Sequence, residues 1–109
     1  MKISKELAKG STALLVLSVL SKEDLYGYQI IRTVEIMSEK VFQMNEGTLY
    51  PILHSLEKEG FLTSYWSEAE ESSRRRKYYQ ITGKGLKELE SQKQEWYTYS
   101  KAVAKLISV

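Results

Sequence analysis

A chain of 109 residues, 42% apolar and 28% charged, has room for one modest hydrophobic core, which is ordinary for one soluble globular domain and gives no sign of disorder. A net charge of +2 is too small to bind a polyanion by itself, so placement matters: Arg74, Arg75, Arg76 and Lys77 are consecutive and follow the acidic run Glu68, Glu70 and Glu71. The absence of cysteine excludes a disulfide framework, a thiol nucleophile and a cysteine-based metal site.

The first helix is predicted from Ser4 to Leu20. Leu7, Ser11, Leu14 or Leu15, and Ser18 share one side, while Ala13-Leu14-Leu15-Val16-Leu17 is apolar almost all round. Such a helix packs on two sides, against its own core and, in one reading, against a second subunit. The apolar run Ala13 to Leu20 is too short to span a bilayer and has no small-residue cleavage site behind it, so a cytoplasmic protein with no membrane partner is expected. Ser21-Lys22-Glu23-Asp24 is a polar turn, with Asp24 capping a second helix over residues 25–39. Leu25, Tyr28, Ile31, Val34 and Glu35 track its inner side. Gly27, between Tyr26 and Tyr28, permits close approach either of another helix or of a sugar-phosphate backbone.

After a linker over residues 41–44, Asn45 or Thr48 caps the third helix, on which Leu49, Ile52, Leu53 and Leu56 share a buried side. Its other side carries Gly47, Pro51, His54 and Lys58, flanked by Tyr50 and Ser55, with no acid among them. That side suits a groove lined with phosphates, and equally the solvent face of an ordinary amphipathic helix. Pro51 is expected in or just after the first turn, and Gly60 stops the helix. From Phe61 the period changes to two, predicting a strand over 61–67, a turn at 68–73 and a returning strand over 75–81. Thr82 caps a last helix whose Leu86, Leu89, Lys93, Trp96, Ser100, Val103 and Ile107 alternate by three and four, the seam of a helix packed along a partner helix.

The predicted fold is mainly α with a small β-hairpin: a winged helix-turn-helix over residues 1–82, followed by a long C-terminal dimerisation helix over 83–109. In this arrangement the third helix enters the major groove, the second braces it, and the hairpin lays arginines over phosphates or into the minor groove.

The motifs Tyr26-Gly27-Tyr28 with Ile30, Gly47-Thr48-Leu49-Tyr50-Pro51 followed by Leu53, Leu56, Glu57 and Gly60-Phe61-Leu62, and Arg76-Lys77-Tyr78-Tyr79 followed by Ile81-Thr82 and Gly85, closely resemble the PadR family of bacterial transcriptional regulators. With a single helix after residue 82, the likeness is to the short-tailed branch. The resemblance implies a homodimer joined mainly by the terminal helix and acting as a repressor, often released by a small ligand. In some relatives a flat pore between the subunits takes planar cationic compounds, and Trp96 is compatible with that. One departure is Ser55, at a position commonly Arg or Lys in similar proteins.

The DNA-binding set expected from these readings is Tyr28, Gly47, Thr48, Tyr50, Pro51, His54, Ser55, Lys58, Arg74, Arg75, Arg76 and Lys77. Along the returning strand Arg74 and Arg76 fall on one face, Arg75 and Lys77 on the other, so one pair meets DNA whichever way the wing turns. Tyr78 and Tyr79 read as structural, pinning the wing. Leu86, Leu89, Trp96, Val103 and Ile107 are the dimerisation residues. Trp96, Tyr99, Leu15 and Leu89 are the candidates for a small planar aromatic or cationic ligand, with Glu88, Glu90 and Glu95 near enough to help with a cation. Aromatic stripes are usually interface core. A lone His54 supplies no metal site, no cofactor motif is present, and no nucleophile-and-base arrangement supports an enzyme. The rival to the regulator reading is a protein–protein module with the same fold and an incidental basic wing.

Overall fold

The computed structural model describes residues 1–68 and 75–108. In chain order the elements are α1 (Lys5–Lys9), α2 (Thr12–Leu20), β1 (Leu25–Tyr26), α3 (Gly27–Met37), α4 (Glu46–Lys58), β2 (Leu62–Trp66), β3 (Lys77–Ile81) and α5 (Gly83–Ile107). The sheet is antiparallel in the order β1-β3-β2, so the expected two-stranded hairpin gains a third strand. The mainly helical fold with a small sheet and a long last helix is the predicted class.

Three local departures have physical causes. The first helix is two: Gly10 and Ser11 interrupt it, since a glycine carries the largest backbone-entropy cost in a helix and Thr12 bonds its hydroxyl back to the Ala8 carbonyl at 3.2 Å. Leu25 and Tyr26 are extended and pair with Tyr79 and Tyr78, so the second helix starts at Gly27 and Tyr26, not Asp24, is its N-cap. The inner side of α3 is accordingly Gly27, Ile30 and Val34, and Tyr28 is 60% exposed. Pro51 falls just after the first turn of α4, as expected, and the carbonyl left without its usual donor is that of Gly47, an exposed residue.

Other signals act as read. The Asn45 side chain accepts from the Thr48 amide at 2.9 Å to cap α4, and Gly60, at φ +84°, takes the left-handed conformation that ends it. Thr82 caps α5 by accepting from the Gly85 amide at 3.0 Å.

The core gathers Val16, Leu17 and Leu20 of α2, Leu25, Ile30 and Val34, Leu49, Leu53 and Leu56 of α4, Leu62, Tyr79 and Leu89 of α5. Each of the fully buried leucines contributes roughly 2–3 kcal/mol of burial free energy before its ordering cost. α2 lies at the centre, against α3, α4, α5 and β3, which is why its apolar surface extends round more than one side.

Candidate nucleic-acid interface

With Leu49, Leu53 and Leu56 turned into the core, helical geometry turns the rest of α4 outward, and Gly47, Thr48, Tyr50, Pro51, His54, Ser55 and Lys58 are all exposed. Glu46 in the first turn and Lys58 in the last match the helix dipole. The acid nearest the middle of the helix, Glu57, accepts a 2.6 Å hydrogen bond from the Ser64 hydroxyl and so ties α4 to the wing.

Strand register decides which wing residues share the α4 side. Opposed residues in an antiparallel pair point to the same face, and the pairs are Leu62 with Ile81, Ser64 with Tyr79 and Trp66 with Lys77. Because Leu62 and Tyr79 are buried, Trp66 and Lys77 continue the core-facing side outward past its edge. Arg75 joins them, with its guanidinium 5.9 Å from the Trp66 ring and its Nε donating to the Ser67 carbonyl at 3.3 Å. Arg76 lies on the other face, 4.5 Å over the Tyr26 ring. Arg74 lies outside the described residues.

The outer face is a tyrosine cluster. Tyr78 meets Tyr26 edge-on at 5.4 Å and stacks on Tyr65 at 5.7 Å. The Asp24 carboxylate accepts from the Tyr65 hydroxyl at 2.6 Å and from Gln80 at 3.3 Å, and the bond to Asp24 raises the Tyr65 phenol above its usual range. Asp24 therefore holds the wing. Sequence reasoning passed over Trp66 and Tyr65; the two-residue period that defined the strand also put Trp66, 56% exposed, beside the basic run.

Burial raises the Tyr79 phenol above its usual 10, with Glu57 and Tyr50 adding to the effect. The folded state prefers this phenol protonated, so the stability it contributes is complete below about pH 10, the unfolded value, and is lost as pH rises further. Thermal midpoints recorded across alkaline pH should fall from about pH 10 upward, and Tyr79→Phe should make that fall shallower. An identical slope in the variant would show that other groups set it.

Of the residues assigned to dimerisation or a ligand, Leu89 is taken up by the chain's own core, Leu86 is half exposed and Val103 half-buried, and Trp96, Tyr99 and Ile107 are exposed. Trp96 and Tyr99, 6.3 Å apart, line a groove of about 730 Å³ between α1 and α5 together with Leu7, Leu14, Glu95 and Val103. Leu15 opens instead on a separate cavity beside residues 39–45. Glu88 and Glu90 bond along α5 to Gln92 and Lys93.

An exposed, leucine-backed helix braced by a second helix and flanked by a basic wing is the geometry of a DNA reader, and residues 16–91 match the sequence model of the Transcriptional regulator PadR-like family. The chain belongs to the PadR-like family. It is 34% identical to a transcriptional regulator from Clostridium thermocellum, with a TM-score of 0.84 over 92% of this chain and 96% of that one. It is also 34% identical to a PadR family transcriptional regulator from Eggerthella lenta, with a TM-score of 0.80 over 94% of this chain and 86% of that one. An uncharacterized protein X from Lysinibacillus sphaericus is 29% identical over 94 residues, 86% of this chain and 85% of the relative. PadR-like proteins are transcriptional regulators, not enzymes, so DNA-binding regulation is the activity that membership carries. Among the described residues, no helix is long and apolar enough to cross a membrane.

Proposed function

We propose that this PadR-like chain is a homodimeric repressor in which two copies of α4 enter successive major grooves of a pseudo-palindromic operator, about 34–36 Å apart or a multiple of that. Residues 1–82 form the reading head and 83–109 the joining arm, with the first turns of α5 anchored in the head through Leu89. The observation that carries the reading is the common side of α4 and the wing: Tyr50, His54 and Lys58 on one element, Arg75 and Lys77 on the other, linked through the Ser64–Glu57 bond. The bases are read by the small and polar side chains of α4; Arg75 and Lys77 take phosphates.

The test is the salt dependence of binding to a mixed-sequence duplex. Each phosphate contact contributes a slope of about 0.9 in log affinity against log salt, so Arg75→Ala with Lys77→Ala should flatten the slope by roughly one to two. An unchanged slope removes the wing from the interface. If the native chain fails to retain DNA at low salt, the protein–protein module becomes the better account.

Release by a small planar aromatic or cationic molecule is the second part of the reading. It is supported by Trp96, Tyr99 and Glu95 on one groove, an apolar wall with an acid at its rim. Planar cationic dyes should quench tryptophan emission, with the effect lost in Trp96→Ala. Emission unaltered across a dye panel counts against it.

A further inference from the structure

The helix-turn-helix carries a contact between its two helices that neither the family match nor the DNA-facing surface accounts for. Gly27 opens α3, is buried, and has an ordinary helical conformation, so no left-handed backbone demands glycine there. Helix propensity favours almost any other residue at such a position. What Gly27 leaves room for is Tyr50. A Cβ at residue 27 would stand 2.5 Å from the Tyr50 hydroxyl oxygen, 3.1 Å from Cζ and 3.6 Å from Cε1. The ring of Tyr50 thus reaches back from α4 and rests its tip on the bare backbone at the start of α3, while 45% of the residue stays exposed.

We propose that Gly27 is a positioning residue for Tyr50: the notch it leaves sets where the Tyr50 phenol lies on the DNA-facing side of α4, although Gly27 itself is buried. This rests on the reading of that side as the DNA interface. Ordinary van der Waals contact begins at 3.4 Å, so a methyl at residue 27 drives the hydroxyl outward by about 1 Å. The obstructing atoms are the free end of a side chain that can swing, not backbone. The fold therefore yields cheaply, and the displaced phenol intrudes on the space a phosphate or sugar would occupy. A residue that matters only for packing would do the reverse, losing stability and leaving affinity in proportion to the folded fraction.

The experiment is a double-mutant cycle on the full chain, read both in affinity for a mixed-sequence duplex at low salt and in thermal midpoint. Gly27→Ala should weaken binding roughly tenfold, the scale of one charge-assisted hydrogen bond, while moving the midpoint by no more than about 3 °C. In the Tyr50→Phe background, which removes the atom at 2.5 Å, the same substitution should change affinity less than about twofold. Equal losses in the two backgrounds overturn the proposal. So does a large drop in midpoint for Gly27→Ala that Tyr50→Phe fails to relieve, because glycine is then needed for something other than the phenol. Failure of the native chain to bind any duplex is a separate result, and sinks the interface reading instead.

Discussion

Gly85→Ala is expected to destabilise the chain by about 3 kcal/mol, at the upper end of what overpacking costs, and to do so through backbone that cannot give way. A methyl at residue 85 runs into the Phe61 carbonyl oxygen and carbon and lies 2.7 Å from Ile81 Cγ1. The Phe61 atoms are backbone and are tied in place. The Phe61 carbonyl already accepts from the Thr82 amide at 3.0 Å, the Thr82 hydroxyl donates to the Gly60 carbonyl at 2.7 Å, and Lys84 Nζ reaches the Glu59 carbonyl at 2.8 Å. The start of α5 is in effect bonded across the turn that ends α4 and begins β2. Alanine must either break this clamp or lift α5 away from Leu62 and Ile81, and Leu89 would leave the core with it. In a domain this small, a 3 kcal/mol loss lowers the melting midpoint by roughly 12–24 °C. Gly83→Ala is the control, because a Cβ there meets nothing within 4 Å. Similar midpoints for the two variants would show that the clamp does not carry this weight.

Much of that architecture is legible in the sequence because its signals are local. Asn45, Gly60 and Thr82 mark helix ends through side-chain caps and one left-handed glycine, chemistry that depends on a few neighbouring residues. The leucines of α4 repeat at helical spacing whatever they pack against, so the outward set from Gly47 to Lys58 follows directly. The features that escaped depend on distant partners. Leu25 and Tyr26 are strand only because Tyr79 and Tyr78, more than fifty positions on, supply the ladder; by themselves they look like the first turn of a helix. Asp24 reads as a cap for the same reason, whereas it holds Tyr65 and Gln80. Leu89 fits the seam of α5 by spacing, yet spacing says nothing of where the head ends and the free rod begins. Alternation separates Arg75 and Lys77 from Arg76 but leaves the side open, and the buried Tyr79 in the register decides which side meets α4.

Replacing Val103 and Ile107 together by glutamate is expected to turn a dimer into a monomer at micromolar concentration and to lower affinity for a palindromic duplex, recovered by selection from a random library, by at least about 100-fold. The argument starts from α5, whose 25 residues extend about 37 Å at 1.5 Å per residue. Gly85 and Leu89 bind its first turns to the head; beyond them Trp96, Tyr97, Tyr99, Leu106 and Ile107 are 43–78% exposed. Apolar groups in that number along one rod are an interaction surface, and the groove beside them continues it onto Leu7 of α1, itself 67% exposed. In the proposed dimer two copies would bury these surfaces against each other, and four introduced carboxylates would oppose that by desolvation and by mutual repulsion. In the single chain Ile107 is 77% exposed and Val103 half-buried, so the head keeps its own core. Its melt should become independent of protein concentration, as loss of a linked association requires. The affinity loss follows because joined heads meet a second half-site at high effective concentration and separated heads do not. Sedimentation of the native chain as a monomer at the same concentration, or undiminished affinity in the glutamate variant, would leave α5 without the joining role.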